Sequence, residues 1–183
     1  MTDPAGRRPI TRRPIARRSR RAAAALLFIL LLGTVPAAQQ AAAQSEPSQS
    51  LPRFVSLKSD EARMRAGPGD QYPIEWVYRR RGLPVEVVAE FEHWRRVRAP
   101  DRTEGWMHRA LLSAQRTIVI QGEVRTMHAE PATWAPPIAR LEPGVIVDVQ
   151  TCDREWCHVS VAGREGWLRK VEGWGVYPDE RIE

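Results

Sequence analysis

The stretch Gly82–Leu83–Pro84–Val85–Glu86–Val87 is repeated 62 residues later as Gly144–Val145–Ile146–Val147–Asp148–Val149. A tryptophan follows each copy at the same offset, Trp94 in the first and Trp156 in the second. A Gly-Trp pair comes next, at Gly105–Trp106 and, 61 residues on, at Gly166–Trp167. Two copies of a period this long predict a tandem pair of small domains, because a solenoid needs about three or more stacked repeats.

Short β-strands are predicted around these landmarks. From Pro84 to Phe91, apolar residues alternate with positions that include two glutamates, the period of two typical of a strand with one apolar face. The strands predicted in the first unit are 54–58, 61–66, 74–79, 84–91, 94–99 and 104–108. Turn signals such as Gly67–Pro68–Gly69 separate them. Short, evenly spaced strands with Gly and Pro between them predict an all-β protein made of two small barrels or sandwiches.

The basic charge of the chain is concentrated at its N-terminus. The sequence has a net charge of +6, but eight of its 28 basic residues and one of its 22 acidic residues lie in residues 1–43. Residues 44–183 therefore keep 20 basic and 21 acidic residues, a net charge of about −1. A body so nearly neutral gives no electrostatic reason to bind nucleic acid or an anionic membrane surface.

Residues 1–43 have the parts of a secretory signal peptide. An arginine-rich start reaches Arg21, an apolar run extends from Ala22 to Leu32, and small residues follow up to Ala43. The apolar run is shorter than the roughly 20 residues that a membrane-spanning helix needs. We therefore expect cleavage near Ala41–Ala43, no stable membrane span afterwards, and a periplasmic or secreted protein. The alternative is an uncleaved membrane anchor.

Four segments are expected after the signal peptide. We expect a short linker at residues 44–52, the first unit at 53–119, the second unit at 120–178 and a tail at 179–183. Each unit has about 60 residues, a marginal size for burying a hydrophobic core. The junction at 117–123 has the pattern of a strand that runs directly into the second unit. This pattern favours two docked units over a flexible tether.

The motifs of the first unit follow one another in a distinctive order. Arg63–Met64–Arg65–Ala66–Gly67–Pro68–Gly69 precedes Tyr72–Pro73, Gly82, Trp94–Arg95–Arg96–Val97 and Gly105–Trp106–Met107. This order resembles the bacterial SH3 domain pattern V-R-x-G-P-G, Y-P, a glycine turn, W-x-x-V and G-W-V. The second unit keeps the later motifs but has 127–133 in place of the Gly-Pro-Gly turn. The chain after the leader is similar to secreted alphaproteobacterial proteins with tandem SH3 domains, and this resemblance implies two SH3-like barrels without naming a ligand.

The two cysteines of the chain are Cys152 and Cys157. They bracket the four-residue connection 153–156, so a hairpin would place them opposite one another, and an oxidising compartment would favour a disulfide. One repeat earlier, the same positions hold Glu90 and Arg95. We expect both pairs to tie the corresponding hairpin, the earlier one through an exposed ion pair worth about 0–1 kcal/mol.

No catalytic or metal-binding motif stands out in the sequence. Cys152, Cys157 and His158 would supply at most three ligands, fewer than a structural zinc site needs. The other histidines are scattered, and there is no G-x-S-x-G, H-E-x-x-H or phosphate-binding glycine loop. Nucleophilic catalysis by Cys and His, as in cell-wall peptidases, is the alternative. We expect no enzymatic activity, no bound metal and no cofactor.

The candidate ligand-binding residues are aromatic or basic: Tyr72, Trp76, Arg79 and Trp106. Tyr72 and Trp76 have no clear counterpart in the second unit, and they precede Arg79–Arg80–Arg81. Aromatic rings beside a turn can line a groove for proline, sugar or peptide, and arginines can bind a carboxylate. The alternatives are that Tyr72 and Trp76 fill a gap between the units and that the arginines form a solvated face balanced by glutamates.

The remaining tryptophans are expected to have structural roles. Four of them recur in both units and should pack the barrel or its hairpins: Trp94, Trp106, Trp156 and Trp167. Trp134 and Trp174 occur in the second unit alone and are candidates for contacts between the units.

The sequence thus predicts an exported, non-enzymatic SH3-like binding module. The resemblance implies an extracytoplasmic target, either peptidoglycan peptide or an envelope protein. The alternatives are a structural or scaffolding subunit without small-ligand binding, and an accessory to a cell-wall hydrolase.

Overall fold

A computed structural model of the protein describes residues 50–183. The predicted signal peptide, 1–43, and residues 44–49 of the predicted linker lie outside the described residues. The described chain forms 14 β-strands and two short 3-10 turns, Arg109–Leu111 and Lys170–Glu172. The strands divide equally between two sheets.

The two sheets have the same internal order. The first contains β1 (Arg53–Leu57), β2 (Ala62–Arg65), β3 (Ile74–Tyr78), β4 (Pro84–Phe91), β5 (Trp94–Arg98), β6 (Glu104–His108) and β7 (Leu112–Ser113). The second contains β8 (Thr117–Ile120), β9 (Arg125–His128), β10 (Pro137–Leu141), β11 (Ile146–Cys152), β12 (Trp156–Val161), β13 (Arg164–Arg169) and β14 (Gly173–Trp174). The hydrogen-bonded orders are β3-β2-β6-β5-β4-β1-β7 and β10-β9-β13-β12-β11-β8-β14. The sequence repeat is therefore a repeat of structure.

The predicted all-β fold of two tandem SH3-like units is confirmed, but the sheets are not closed into barrels. Among the described residues, no ladder joins β3 to β7 or β10 to β14. Each sheet therefore keeps two edges, which a closed barrel would not have. The strands predicted in the first unit are all present, and each of their ends lies within one residue of the prediction.

The apolar face of β4 ends earlier than its alternation predicts. Val85 and Val87 are buried, but the ladder with β5 shifts register between Val87 and Ala89. A bulge of this kind inserts an extra residue and changes the face to which later side chains point. Phe91 is consequently exposed.

A glycine with a left-handed backbone conformation precedes β4 and its counterpart β11. The φ angles are +76° at Gly82 and +87° at Gly144. The N–H of Gly82 donates to the Leu57 carbonyl at 2.8 Å, and the N–H of Gly144 donates to the Ile120 carbonyl at 2.7 Å. Residues with a Cβ are strained at such φ values, which explains why each copy of the repeat begins with glycine.

Each unit has its own apolar core. The first core contains Val55, Leu57, Ala62, Met64, Leu83, Val85, Val87, Val97, Met107 and Val119. The second contains Ile118, Ile120, Met127, Leu141, Val147, Cys152, Cys157, Val159, Leu168 and Val176. Val119 is the exception to this division, because it lies on a strand of the second sheet and packs in the first core.

The strand β8 contributes to both cores. Ile118 and Ile120 pack in the second core and Val119 packs in the first, as the alternation of side chains along a strand allows. The Thr117 hydroxyl donates to the Gly82 carbonyl at 2.7 Å. All four residues of β8 are buried, so the two units are docked along this strand.

The segment around the predicted boundary, between 119 and 120, contains β8. The first sheet ends at Ser113 and the second begins at Thr117. The strand predicted at the junction is present, and all four of its residues, Thr117–Ile120, belong to the second sheet.

Aromatic residues from both units pack against one another. Phe54 of β1 meets Trp174 edge-on, with ring centroids 4.8 Å apart, and Tyr177 at 4.7 Å. The Arg116 guanidinium lies 6.0 Å from the Phe54 ring centroid, within the range of a cation–π contact. Trp174 thus makes the interdomain contact predicted for it, whereas Trp134 is 81% exposed and makes none of these ring contacts.

The predicted tail, 179–183, is tied to the second sheet. Ile182 and Cys152 exchange two backbone hydrogen bonds, at 2.8 and 3.1 Å. The ammonium group of Lys170, a buried residue, donates to the Glu180 carbonyl. These contacts hold the end of the chain against β11.

The equivalent hairpins of the two units are tied at the same positions by different chemistry. Cys152 and Cys157 face each other in the β11–β12 ladder and form the predicted disulfide. Glu90 and Arg95 face each other in the β4–β5 ladder, with Arg95 Nε 3.0 Å from Glu90 Oε1. This ion pair is more shielded than expected, since its side chains are 26% and 15% exposed. Arg53 forms a second ion pair with Glu90.

The substitution Phe54→Ala is expected to lower the free energy of unfolding by about 3–5 kcal/mol, the usual cost of emptying a buried aromatic site. Urea unfolding followed by tryptophan fluorescence measures the change. The wild-type chain should unfold in one transition, because β8 belongs to both cores. The matched control is Phe91→Ala, which removes an exposed ring and should cost less than about 0.5 kcal/mol. A loss for Phe54→Ala as small as that of the control would contradict a stabilising interface.

Replacing both Cys152 and Cys157 with alanine is expected to lower the free energy of unfolding by roughly 2 kcal/mol, because the short loop they close no longer restricts the unfolded chain. Urea midpoints of the variant and of the wild type in dithiothreitol should fall together below that of the oxidised wild type. Unchanged midpoints in both would show that the disulfide does not stabilise the second unit.

Candidate ligand-binding surface

The strand β3 lies at one edge of the first sheet and exposes apolar side chains. Trp76 is 54% exposed and Val77 is 44% exposed. Tyr72 in the preceding loop is 40% exposed, so neither Tyr72 nor Trp76 is buried in a gap between the units. The name β3 surface is used below for Tyr72, Ile74, Trp76, Val77 and Arg79.

The loop before β3 is shaped by the Gly-Pro-Gly turn and by Arg65. A Cβ on Gly67 would lie 2.5 Å from the Tyr72 ring, so the ring packs directly on the glycine and a larger residue does not fit there. The Arg65 guanidinium donates to the carbonyls of Asp70, at 3.0 Å, and Tyr72, at 2.7 Å. It also lies 3.2 Å from the Asp70 carboxylate. These contacts fix the position from which Tyr72 projects.

The arginines of β5 are neutralised by glutamates on the neighbouring strands. Arg96 pairs with Glu104 at 2.9 Å. Arg98 pairs with both Glu86 and Glu104 at 2.8 Å. The basic face of β5 is therefore balanced by glutamates.

The arginines that follow β3 are not balanced in this way. The Arg79 side chain is 79% exposed, and its ion-pair partner among the described residues, Glu61, is 3.7 Å away. Arg80 donates to the Gly144 carbonyl. Neither Arg80 nor Arg81 forms an ion pair within residues 50–183. The excess positive charge of the first unit is thus placed beside the β3 surface.

Trp106 lies apart from the other three predicted site residues. It faces Arg65 of β2 on one side and Arg96 of β5 on the other. The strand β2 therefore separates it from Trp76 on β3. A ligand that contacted all four predicted residues would have to extend from the sheet edge across β2.

The four recurring tryptophans are half-buried and lie outside both cores. Three of them contact histidine rings. The pairs are Trp94 with His108 at 5.5 Å, Trp156 with His128 at 5.9 Å and Trp167 with His158 at 5.0 Å between centroids. Their packing is therefore against neighbouring side chains of the sheets and not within the apolar cores.

The corresponding edge of the second unit differs from the β3 surface, although Trp134, 81% exposed, lies 62 residues after Tyr72 in the loop before β10. The edge strand there, β10, begins at Pro137, and its Ile138 carbonyl accepts a hydrogen bond from Arg164 at 3.5 Å. The strand is also more buried, with Leu141 only 3% exposed. The two copies of the repeat thus differ most clearly at this edge.

An open groove lies between the two units. It has a volume of about 490 Å³, and its apolar wall includes Leu83, Pro100 and Val119. Burial raises the pKa of the Tyr78 hydroxyl at this groove, and the negative charge of Asp101 adds to the effect. The groove therefore presents a neutral phenol and apolar area, in contrast to the cationic β3 surface.

A buried carboxylate links the two units. Glu86 accepts hydrogen bonds from Arg98 and from the Tyr177 hydroxyl, at 2.8 and 2.7 Å. Burial raises the pKa of Tyr177, and the hydrogen bond to Glu86 and the charge of Glu86 add to this shift. Tyr177 thus remains a hydrogen-bond donor to Glu86.

Glu180 forms a second polar contact, with the segment that joins the two sheets. It accepts hydrogen bonds from Arg116 at 2.9 Å and from the Tyr177 N–H at 3.1 Å. Burial acts to raise the pKa of Glu180, but these hydrogen bonds and the charges of Arg116 and Lys170 place it below its ordinary value of 4.5. Glu180 is therefore ionised at neutral pH and holds Arg116 to the C-terminal segment.

The described residues contain neither a cluster of metal-binding side chains nor a free thiol. Within residues 50–183, no group of three or more His, Cys, Asp or Glu side chains is arranged to hold a metal ion. Both cysteines are bonded in the disulfide, which removes the thiolate that nucleophilic catalysis needs. No helix in this part of the chain has the length and apolar character needed to cross a bilayer.

A family model described as "Bacterial SH3 domain" matches the chain twice, over residues 58–114 and 121–175. The chain belongs to the bacterial SH3 domain family. The two matched segments correspond to the two sheets, and the resemblance drawn from the sequence motifs is confirmed.

Two solved structures match part of the chain at low similarity. An NlpC/P60 family protein from Bacillus cereus shares 15% identity with a TM-score of 0.30, over 66% of this chain and 55% of that one. NlpC2 from Trichomonas vaginalis shares 11% identity with a TM-score of 0.32, over 69% of this chain and 49% of that one. The chain thus spans about half the length of these proteins. No curated protein matches the sequence.

Sequence reasoning missed the residues that join the units through side chains: Phe54, Glu86, Arg116 and Tyr177. Phe54 directly precedes another apolar residue, Val55, and so offers no alternation from which its face could be read. Glu86 offered a weak signal, as an acidic residue inside an apolar strand. Its hydrogen-bond partner Tyr177 lies 91 residues away.

The substitution Glu180→Gln is expected to reduce stability at neutral pH but not in acid. The pKa of Glu180 is lower in the folded than in the unfolded chain, so its carboxylate stabilises the fold above the ordinary value of 4.5, and this contribution is lost as the pH falls through the folded pKa. Urea unfolding from about pH 7 to about pH 3 should show wild type and variant converging at low pH. The exposed control Glu123→Gln should track wild type throughout. A pH-independent difference for Glu180→Gln would contradict this assignment.

Proposed function

We propose that this chain is an exported, non-enzymatic binding module that uses the β3 surface to recognise peptidoglycan peptide or an envelope protein. The observation that carries the proposal is the exposed aromatic and basic edge of the first unit. Trp76 and Tyr72 are exposed there beside Arg79, whose charge is poorly balanced. Exposed apolar side chains next to an exposed, weakly paired cation suit a peptide that carries carboxylates.

Export is supported by two independent features. Residues 1–43 have the arginine-rich, apolar and small-residue segments of a signal peptide. The disulfide between Cys152 and Cys157 is consistent with an extracytoplasmic protein, since such bonds persist in oxidising compartments. We therefore place the mature chain in the periplasm or outside the cell.

The residues of the β3 surface have distinct roles in this proposal. Tyr72 and Trp76 supply rigid apolar area on which a peptide can stack. Arg79 binds a carboxylate of the ligand. Arg65 of β2 lies between Trp106 and the sheet edge. A ligand that contacts Trp106 therefore continues across β2.

A structural or scaffolding subunit is the second candidate function. It is favoured by the aliphatic part of the same surface, where Ile74 and Val77 are 43% and 44% exposed. A small charged ligand has no need of this aliphatic area, whereas a protein partner can bury it. Such a subunit would bind a partner protein and would not be retained by the cell wall.

Retention of the mature chain by purified sacculi tests the wall-binding form of the proposal. The double substitution Tyr72→Ala and Trp76→Ala is expected to lower retention about ten-fold, because two stacking contacts are lost. The matched control is Trp134→Ala, which removes a more exposed tryptophan from the second unit and should leave retention unchanged. Thermal unfolding of each variant checks the fold.

Two outcomes would contradict wall binding through this surface. Equal retention of the double variant and the wild type would place the binding site elsewhere. Lack of retention of the wild type would overturn wall binding and leave the partner-protein candidate.

A further inference from the structure

The strand β3 is the least protected sheet edge in the described part of the chain. The edge strands β7 and β14 have two residues each, too short to pair with another chain. The edge strand β10 begins with Pro137, and Arg164 occupies its Ile138 carbonyl. By contrast, β3 has five residues and contains neither proline nor lysine. Of the usual devices that block pairing at an edge, proline, lysine and a very short strand are missing from β3, whereas a bulge and one charged residue, Glu75, are present.

The outer backbone of β3 has no covering side chain. Among residues 50–183, no side chain forms a hydrogen bond with the backbone of Ile74–Tyr78. Backbone groups on a strand point alternately to its two sides, so those facing away from β2 are open to a further strand. Both β3 and β10 carry a register shift against their inner neighbour, so the shift does not distinguish them.

The charges around β3 indicate which strand would fit. Glu75 is the one charged residue within β3, and Arg79–Arg80–Arg81 follow it directly. Arg79 extends into solvent, and Arg81 forms no ion pair within the described residues. A strand added along β3 would thus lie beside apolar side chains for most of its length and end beside the exposed guanidinium groups of Arg79 and Arg81.

We propose that β3 accepts an extended segment of a partner protein as an additional strand of the first sheet. The segment carries apolar side chains along Ile74–Val77 and acidic side chains beside Arg79 and Arg81. This inference rests on the proposed function in its protein-binding form and names the chemistry of the partner. Backbone pairing supplies affinity in such complexes, and the side chains supply specificity.

A second copy of this chain fits the edge less well. In antiparallel self-pairing about Trp76, Arg79 would lie opposite Pro73 and Arg81 opposite Gln71. The acid next to Gln71, Asp70, is already paired with Arg65 at 3.2 Å, and Glu75 lies two residues from the position opposite Arg79. No carboxylate would then lie directly opposite either arginine, whereas an acidic partner supplies one.

Binding of synthetic peptides to the mature chain tests the proposal. One peptide has two glutamates followed by alternating valine and threonine, and a second has the glutamates at its other end. The one of these two peptides that binds shows whether the added strand runs antiparallel or parallel to β3. A third replaces glutamate with lysine, and a fourth is N-methylated at every second residue. NMR titration measures affinity, and amide hydrogen exchange of β3 reports backbone pairing.

The expected result is that a glutamate peptide binds and slows exchange of amides in Ile74–Tyr78. The lysine peptide should bind about ten-fold more weakly, and the N-methylated peptide should lose binding, because charge and backbone pairing are removed in turn. The double substitution Arg79→Gln and Arg81→Gln should lower the affinity for the glutamate peptide. It should not lower the affinity for the lysine peptide.

A matched pair of variants controls for the location of the site. Val77→Lys places a charge on the β3 edge and should abolish peptide binding. Val124→Lys changes a valine of nearly equal exposure in the second unit, 43% against 44%, and should leave binding intact. Thermal unfolding shows whether both variants remain folded.

Four results would overturn the proposal. Equal affinity for the N-methylated peptide would exclude strand addition, and equal binding by Val77→Lys would exclude this edge. A dimer of the wild type in sedimentation that Val77→Lys abolishes would show that a second copy occupies β3. Sacculus retention without peptide binding would overturn this inference and leave wall binding intact. Peptide binding without sacculus retention would overturn wall binding and leave this inference intact.

Discussion

One strand, β8, makes the two units depend on each other. A unit of about 60 residues has marginal capacity to bury its own core. Here Ile118 and Ile120 complete the second core while Val119 enters the first. Burying a side chain such as valine is worth about 1.5–3 kcal/mol, so the first unit would lose part of its core if it were separated. The chain is best understood as one folded body with two sheets.

The docking along β8 uses parts of the repeat that also shape each sheet. The carbonyl of Gly82 accepts the hydrogen bond from Thr117, and the carbonyl of Gly144 accepts one from Arg80. Each of these glycines therefore has two roles: its φ angle shapes the turn before β4 or β11, and its carbonyl makes a contact between the units. The features common to the two copies therefore maintain the fold and the interface, which leaves the differences between the copies as the better candidates for function.

The main difference between the copies is how each treats the outer edge of its sheet. Proline and Arg164 protect the edge of the second unit, whereas Ile74, Trp76 and Val77 are open in the first. An open apolar edge favours aggregation unless something binds there. In the first unit, this open apolar edge lies beside arginines that glutamates do not balance. That combination is the physical basis for assigning binding to the first unit.

Local patterns predicted the strands of the first unit to within one residue, because alternation and turn glycines act over a few positions. The pairing of Cys152 with Cys157, and of Glu90 with Arg95, was also predictable, since each pair belongs to a single hairpin. The exposure of Phe91 was not, because a bulge changed the face of β4. The pairing of Arg96 and Arg98 with glutamates was not predictable either, because it depends on the register between β5 and its neighbouring strands.

The candidate site was predicted in part. Tyr72, Trp76 and Arg79 do lie along one loop and strand, but Trp106 is separated from Trp76 by β2. The sequence also left open whether the aromatic residues were buried between the units, and their exposure answers that question.

By itself, the sequence determined the two-domain repeat, its strands and its disulfide, because each of these is encoded by residues close together in the chain. The tertiary structure decided that β8 serves two cores, that Phe54 and Tyr177 meet across the units, and that β3 is an open edge. These properties depend on which distant segments come to lie beside a strand. A strand at an edge and one in the middle of a sheet can share the same alternation, so only the arrangement of the neighbouring strands distinguishes them.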